Sequence, residues 1–177
     1  MKRRIPMIKK AVIALAVIIF AEGAALALSA SQQTTFTVTV SSIFELSIDQ
    51  GMVDFGRMKP GETKWNMPSS GVNVVAKTNN GKPWYIKVSN SSPLNSANNI
   101  IPNNNFYWSG WTDGTGKWYG SASDQISTAP KIVYGSGVGE ENNLPNGTAN
   151  HFKFKLAVPS NQAPGFYMTT VKFTMTE

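Results

Sequence analysis

Apolar residues recur at every second position along this chain, and after residue 30 no stretch carries the three-and-four spacing of a helix. That alternation leaves room for little except a pleated sheet with one covered face. "TTFTVTV" (34–40) sets Phe36, Val38 and Val40 against threonines, and "FELSID" (44–49) sets Phe44, Leu46 and Ile48 against Glu45, Ser47 and Asp49. "MVDFG" (52–56) offers Val53 and Phe55 before the turn "KPGE". "GVNVVAKT" (71–78) aligns Val72, Val74 and Ala76, and Asn80-Gly81 follows as a hairpin signal. "PWYIKV" (83–88) puts Trp84, Ile86 and Val88 on one face, and a further strand is expected around Ile132–Tyr134. "HFKFKLAV" (151–158) aligns Phe152, Phe154, Leu156 and Val158; "GFYMTTVKFTMT" (165–176) aligns Tyr167, Val171, Phe173 and Met175. Seven or eight short strands with turns between them predict an all-β fold, an antiparallel two-sheet sandwich of immunoglobulin-like type.

The first 30 residues are of another kind. "MKRRIPMIKK" is cationic, "AVIALAVIIF" is wholly apolar, and "AEGAALALSA" supplies small residues. This order predicts a signal helix, with cleavage after Ala27 or Ala30. Residues 11–30 would be long enough to stay as a membrane anchor, but Glu22 and Gly23 interrupt them. The expected organisation is a signal peptide over 1–30 and one sandwich domain over 31–177. The expected location is secreted or cell-surface, by way of the periplasm in a Gram-negative host, with membrane contact only through the leader.

Charge and cysteine content narrow the function. Of the formal +6, most sits in the leader: from Leu28 onward there are eleven basic and nine acidic residues. So small an excess steers no nucleic acid. The chain has no cysteine, so disulfides, thiolate metal sites and thiol catalysis are excluded, and the core alone carries stability.

Residues 89–131 read as an insertion, rich in Asn and Ser and centred on "FYWSGWTDGTGKWYG" (106–120). Its Phe106, Tyr107, Trp108, Trp111, Trp118 and Tyr119 fit no helix or strand period. Three uses suit such rings: anchoring a loop on the core, docking a partner, or contacting a sugar chain. Tyr107, Trp108, Trp111, Trp118 and Tyr119 are the candidate contact residues, with anchoring the favoured use. The polar start followed by Phe36, Val38 and Val40 also suits a strand lent to a neighbour's sheet, although an ordinary first strand is the simpler expectation.

Catalytic constellations are thin. His151 is the sole histidine and reads as an exposed strand-end residue; Glu140-Glu141 read as solvated charge. Asp113 and Asp124 could face one another across the insertion, as the paired carboxylates of a glycosidase do. "DGTG" (113–116) lacks the alternating acids of a calcium loop. Asp54-Phe55-Gly56 stands alone without other kinase features, and Asn90-Ser91-Ser92 and Asn146-Gly147-Thr148 mark surface loops. No catalytic residue, metal or cofactor is expected, and the chain reads as not an enzyme.

The stretch from Phe44 to Val88, with "DFG", a Pro-Gly turn, Asn80-Gly81 and a Trp-bearing strand, resembles bacterial surface immunoglobulin-like and fimbrial-like domains. "VPSNQAPGFYMTTVKFTMT" resembles their last hairpin, and Trp84-Tyr85-Ile86 resembles WxL-type surface domains, whose second tryptophan motif the closing strand lacks. The resemblance implies a non-catalytic surface or appendage subunit, adhesive or pilus-like, that associates with itself or with other surface proteins. A carbohydrate-binding module touching cell-surface polysaccharide is the alternative.

Overall fold

The computed structural model describes residues 32–66 and 71–177; the expected signal peptide lies outside the described residues. The chain divides into two units, Met1–Thr39 and Val40–Glu177. Of the first, residues 32–39 are described: they are exposed and carry no regular secondary structure. No helix among the described residues is long and apolar enough to cross a membrane.

Among the described residues Val40–Glu177 carries twelve strands, several only two or three residues long, and ten of them form an antiparallel two-sheet sandwich. The longest strand, β11 (Thr148–Ala157), alternates strictly between buried and half-buried positions. Along one edge it pairs with β7 (Phe106–Thr112). Along the other it pairs first with β3 (Val72–Thr78) and then, end to end, with β2 (Thr63–Asn66). β1 (Phe44–Ile48) lies outside β3, and β9 (Asp124–Gln125) outside β7. The second sheet runs β12 (Val171–Thr176), β4 (Tyr85–Asn90), β10 (Lys131–Gly135), β8 (Lys117–Trp118). β5 (Leu94–Ser96) and β6 (Asn99–Ile101) form a separate hairpin.

Inward residues of the two sheets meet in one core. Val72, Val74, Phe106, Trp108, Phe152 and Phe154 come from the first sheet; Ile86, Val88, Val133 and Tyr134 come from the second, with Trp84 just before β4. Phe152 lies 4.7 Å from Phe173 of β12 and 5.7 Å from Trp108, ring centre to ring centre. A register shift between Ile132 and Tyr134 lets two successive residues, Val133 and Tyr134, both turn inward.

Four expectations are corrected. Residues 34–40 form no strand; Phe36, Val38 and Val40 are 90%, 86% and 76% exposed, because alternation creates a strand only where a neighbour supplies the ladder. Residues 52–56 are irregular although Val53 and Phe55 reach the core: side chains satisfy the backbone, with Asp54 accepting from Gly56 N at 2.7 Å and Lys64 Nζ donating to Phe55 O at 2.8 Å. Asn80-Gly81 is no hairpin, since β3 and β4 belong to different sheets; Gly81, at φ 68°, donates to Glu141 O. Residues 89–131 are no insertion, for β7 within them is a full partner of β11.

β7 crosses β11 closely at Gly110, where an added Cβ would stand 2.1 Å from His151 O and 3.0 Å from the Trp118 ring. Gly110→Ala is therefore expected to lower the urea midpoint by the equivalent of about 2–4 kcal/mol. Ser109→Ala, on the opposite face of the same strand, should cost under about 0.5 kcal/mol.

Candidate functional site

The six rings of residues 106–120 go three ways. Phe106 and Trp108 point inward from β7 and are buried, so Trp108 is not a contact residue. Trp118 is also no free contact: its ring packs edge-on to Trp108 at 6.0 Å and against Phe152 at 5.5 Å. Tyr119, at the end of β8, is exposed beneath the Lys117 ammonium at 4.7 Å. Tyr107 and Trp111 stand on the outer face of the first sheet. The five candidate residues thus form no single site.

A different group forms around β11. Its outward residues are Ala149, His151, Lys153, Lys155 and Ala157, at alternate positions. Register sets Lys155 between Trp65 of β2 and Tyr107 of β7, and His151 beside Trp111. The Lys155 ammonium lies 5.2 Å from the Trp65 ring centre and 4.3 Å from that of Tyr107, and donates to Ser123 Oγ at 2.9 Å. Lys153 lies 4.9 Å from the Trp111 ring, which stacks on His151 at 4.7 Å and 13°. Two ammoniums over three rings make a row of cation–π contacts across three strands. Sequence reasoning missed Trp65, Lys153 and Lys155 as a group, though the alternation of "HFKFKLAV" already turned both lysines outward.

His151 is no strand-end residue. It sits inside β11, with Nε2 3.0 Å from Asp113 Oδ2 and a buried Nδ1 that has no partner among the described residues. Asp113 and Asp124 serve separate partners, since Asp124 pairs with Lys131 at 2.9 Å. They are not a carboxylate pair.

Glu140 is not solvated charge either. It is buried, and its carboxylate accepts from Thr115 N at 2.9 Å, Gly137 N at 2.6 Å, the Tyr134 hydroxyl at 2.5 Å and Thr148 Oγ1 at 3.4 Å. The Glu140 backbone carbonyl accepts from Trp84 Nε1 at 3.0 Å. The "DGTG" loop is what closes over it: a Cβ on Gly114 would meet the Tyr134 hydroxyl at 2.2 Å and Glu140 Oε1 at 2.3 Å. A depression of about 360 Å³ beside this loop is lined by Asp113, Thr115, Glu140, Asn146 and Thr148. No cluster of three metal-ligating side chains occurs among the described residues.

A second recess opens at the side of the sandwich. Among the described residues β1 pairs only with β3 and β12 only with β4, and no ladder joins β1 to β12. Between them Leu46, Ile48, Val74, Val171, Lys172 and Phe173 line a groove of about 280 Å³. Ile48 is 48% exposed there.

No protein-family model matches the chain, and no curated protein does. Among solved structures it is similar to a family 123 glycoside hydrolase from Clostridium perfringens, described for glycolipid glycan hydrolysis. Identity is 16% and the TM-score 0.37; the match covers 76% of this chain and 24% of that one. The match is to an enzyme, so it lends no support to the expectation of a chain that is not one. At that TM-score the likeness says nothing more about what this chain does.

Burial, and then the Glu140 carboxylate facing its hydroxyl, pushes the Tyr134 pKa well above the usual tyrosine value. A raised value in the fold means that the neutral phenol adds stability fully below about pH 10, the ordinary tyrosine pKa, and that this is lost as pH climbs through the raised one. Urea midpoints are expected to hold up to about pH 10, to fall above it in the native chain, and to fall less there in Tyr134→Phe. Glu140→Gln, which strips a buried anion from four donors, should cost about 2–4 kcal/mol at neutral pH.

Proposed function

We propose that this chain is a surface-assembly subunit, exported by its leader, whose copies join by strand addition. Residues 34–40 of one copy enter the groove between β1 and β12 of the next. The observation that carries this reading is a pair of complementary features. One is an exposed segment with three apolar residues at alternate positions; the other is an apolar groove flanked by two sheet edges that have no further strand among the described residues.

The physical fit supports it. Seven extended residues reach roughly 23 Å at about 3.3 Å per residue, a little more than the six of β12. Residues 32–43 carry no charge, so covering them desolvates no ion. The edge of β12 offers backbone donors and acceptors, and the half-buried Val171, Phe173 and Leu46 offer apolar contact for alternate side chains. Downstream, the segment is tethered: Ile43 N donates to Asn79 Oδ1 at 2.7 Å and Asn79 Nδ2 to Ser41 O at 3.0 Å.

Size-exclusion chromatography and negative-stain microscopy test this directly. The intact chain is expected to form concentration-dependent oligomers. Deletion of residues 32–40, Val38→Asp and the groove variant Ile48→Asp should each leave monomers that melt within a few degrees of the parent. A synthetic peptide of residues 32–43 added to the deletion variant should raise its Tm, as any ligand of the folded state does. Oligomers of unchanged size from the deletion variant, or a peptide without effect on Tm, would overturn the reading.

A further inference from the structure

We propose that the outer face of the first sheet binds an anionic polysaccharide, a chain of pyranose rings bearing carboxylates, through Lys153 and Lys155. This site is separate from the groove of the preceding reading and does not depend on it.

Among the described residues, the ion pairs are Lys82–Glu177, Lys131–Asp124 and His151–Asp113. Lys153 and Lys155 have no carboxylate within 4 Å. Each is instead held over aromatic rings: Lys153 over Trp111, and Lys155 over both Trp65 and Tyr107. A ring attracts a cation without cancelling its charge. The rings also cover part of each lysine and restrict its rotamers, which lowers the entropy lost when a ligand binds. The result is a pair of positioned, unneutralised ammoniums on a rigid strand.

Those rings are not a stacking platform for neutral sugar. Lysine occupies faces of Trp65, Tyr107 and Trp111, and His151 stacks on Trp111 as well. The ligand must therefore be recognised by its anionic groups, with the rings as supports for the cations. Around the lysines lie hydroxyl and amide groups that suit a hydroxyl-rich ligand: Ser109 opposite Lys153, Gln125 opposite Tyr107, and Ser123 on Lys155.

Charge and topology select among anionic polymers. Lys153 and Lys155 are two positions apart on one strand and so share its outer face. A nucleic acid is held by neutralising many phosphates at once, and two lysines in a chain whose charge is nearly balanced from Leu28 onward do not answer it. An acidic peptide would seek a free sheet edge, yet β11 is an inner strand, with β7 along one side and β3 and then β2 in line along the other. An anionic bilayer would gain only about 1 kcal/mol from each lysine.

Affinity electrophoresis of the full-length chain through gels containing polygalacturonate provides the test, with hydroxyethylcellulose, poly-dT and anionic phosphatidylserine vesicles as comparison probes. Polygalacturonate should retard the chain, and rising salt should relieve the retardation. The double variant K153Q/K155Q should weaken binding at least tenfold. K82Q/K87Q, with the same change in charge elsewhere, should bind as the parent does, and both should keep the parental Tm. Trp65→Ala, which removes one support from Lys155 and keeps its charge, should weaken binding severalfold. The proposal is overturned by equal binding in K153Q/K155Q and parent, by equal loss in the K82Q/K87Q control, by retardation as strong in hydroxyethylcellulose, or by tighter binding to poly-dT or the vesicles.

Discussion

Everything in the first sheet depends on the backbone ladder along β11. Its ten residues are long enough to hold β7 on one side and two different strands, β3 and β2, in line on the other. Because side chains alternate, this one strand sets two faces at once. Phe152, Phe154 and Leu156 make the centre of the core, while His151, Lys153 and Lys155 make the outer surface. A slip of one residue would exchange them, burying lysines and exposing phenylalanines, so the core holds the outer face in register.

The second sheet is joined to the first by polar as well as apolar contacts. Glu140 brings together the Tyr134 hydroxyl from β10, the indole of Trp84, Thr148 from β11 and the 113–116 loop. A buried carboxylate is costly unless its lone pairs are filled, and here backbone amides and hydroxyls fill them. The glycines of the loop let its backbone come close enough to do so. The loop that looked like a poor calcium site is thus a lid of donors over the protein's own anion.

Much of the fold was legible from period two alone, and the exceptions share a cause. β1, β3, β4, β11 and β12 stand where alternating residues placed them, and β10 where a strand was expected around Ile132–Tyr134. β7 was illegible because rings occupy both its faces: Phe106 and Trp108 within, Tyr107 and Trp111 without, which erases the contrast between apolar and polar positions. Residues 34–40 show the reverse, a clear pattern with no partner strand. For the outer face, the outward direction of Lys153 and Lys155 was readable in "HFKFKLAV". Their neighbours were not, since Trp65, Tyr107 and Lys155 meet only through the registers of three strands distant in sequence. Glu140 beside Glu141 gave no sign of burial, because the groups that satisfy it come from loops and strands on either side.

The place of β11 in the chain also bears on time. Its ladders join Ala76 to Thr148, Phe152 to Val72 and Leu156 to Phe106, all far apart in sequence. Each such pairing closes a long loop before any contact rewards it, and folds of this kind form in milliseconds to seconds. Until β11 arrives, β3 lacks its inner neighbour and β7 its long partner. A late β11 therefore leaves the apolar faces of β3 and β7 uncovered until it pairs, and that interval is when such strands are open to pairing with the wrong neighbour.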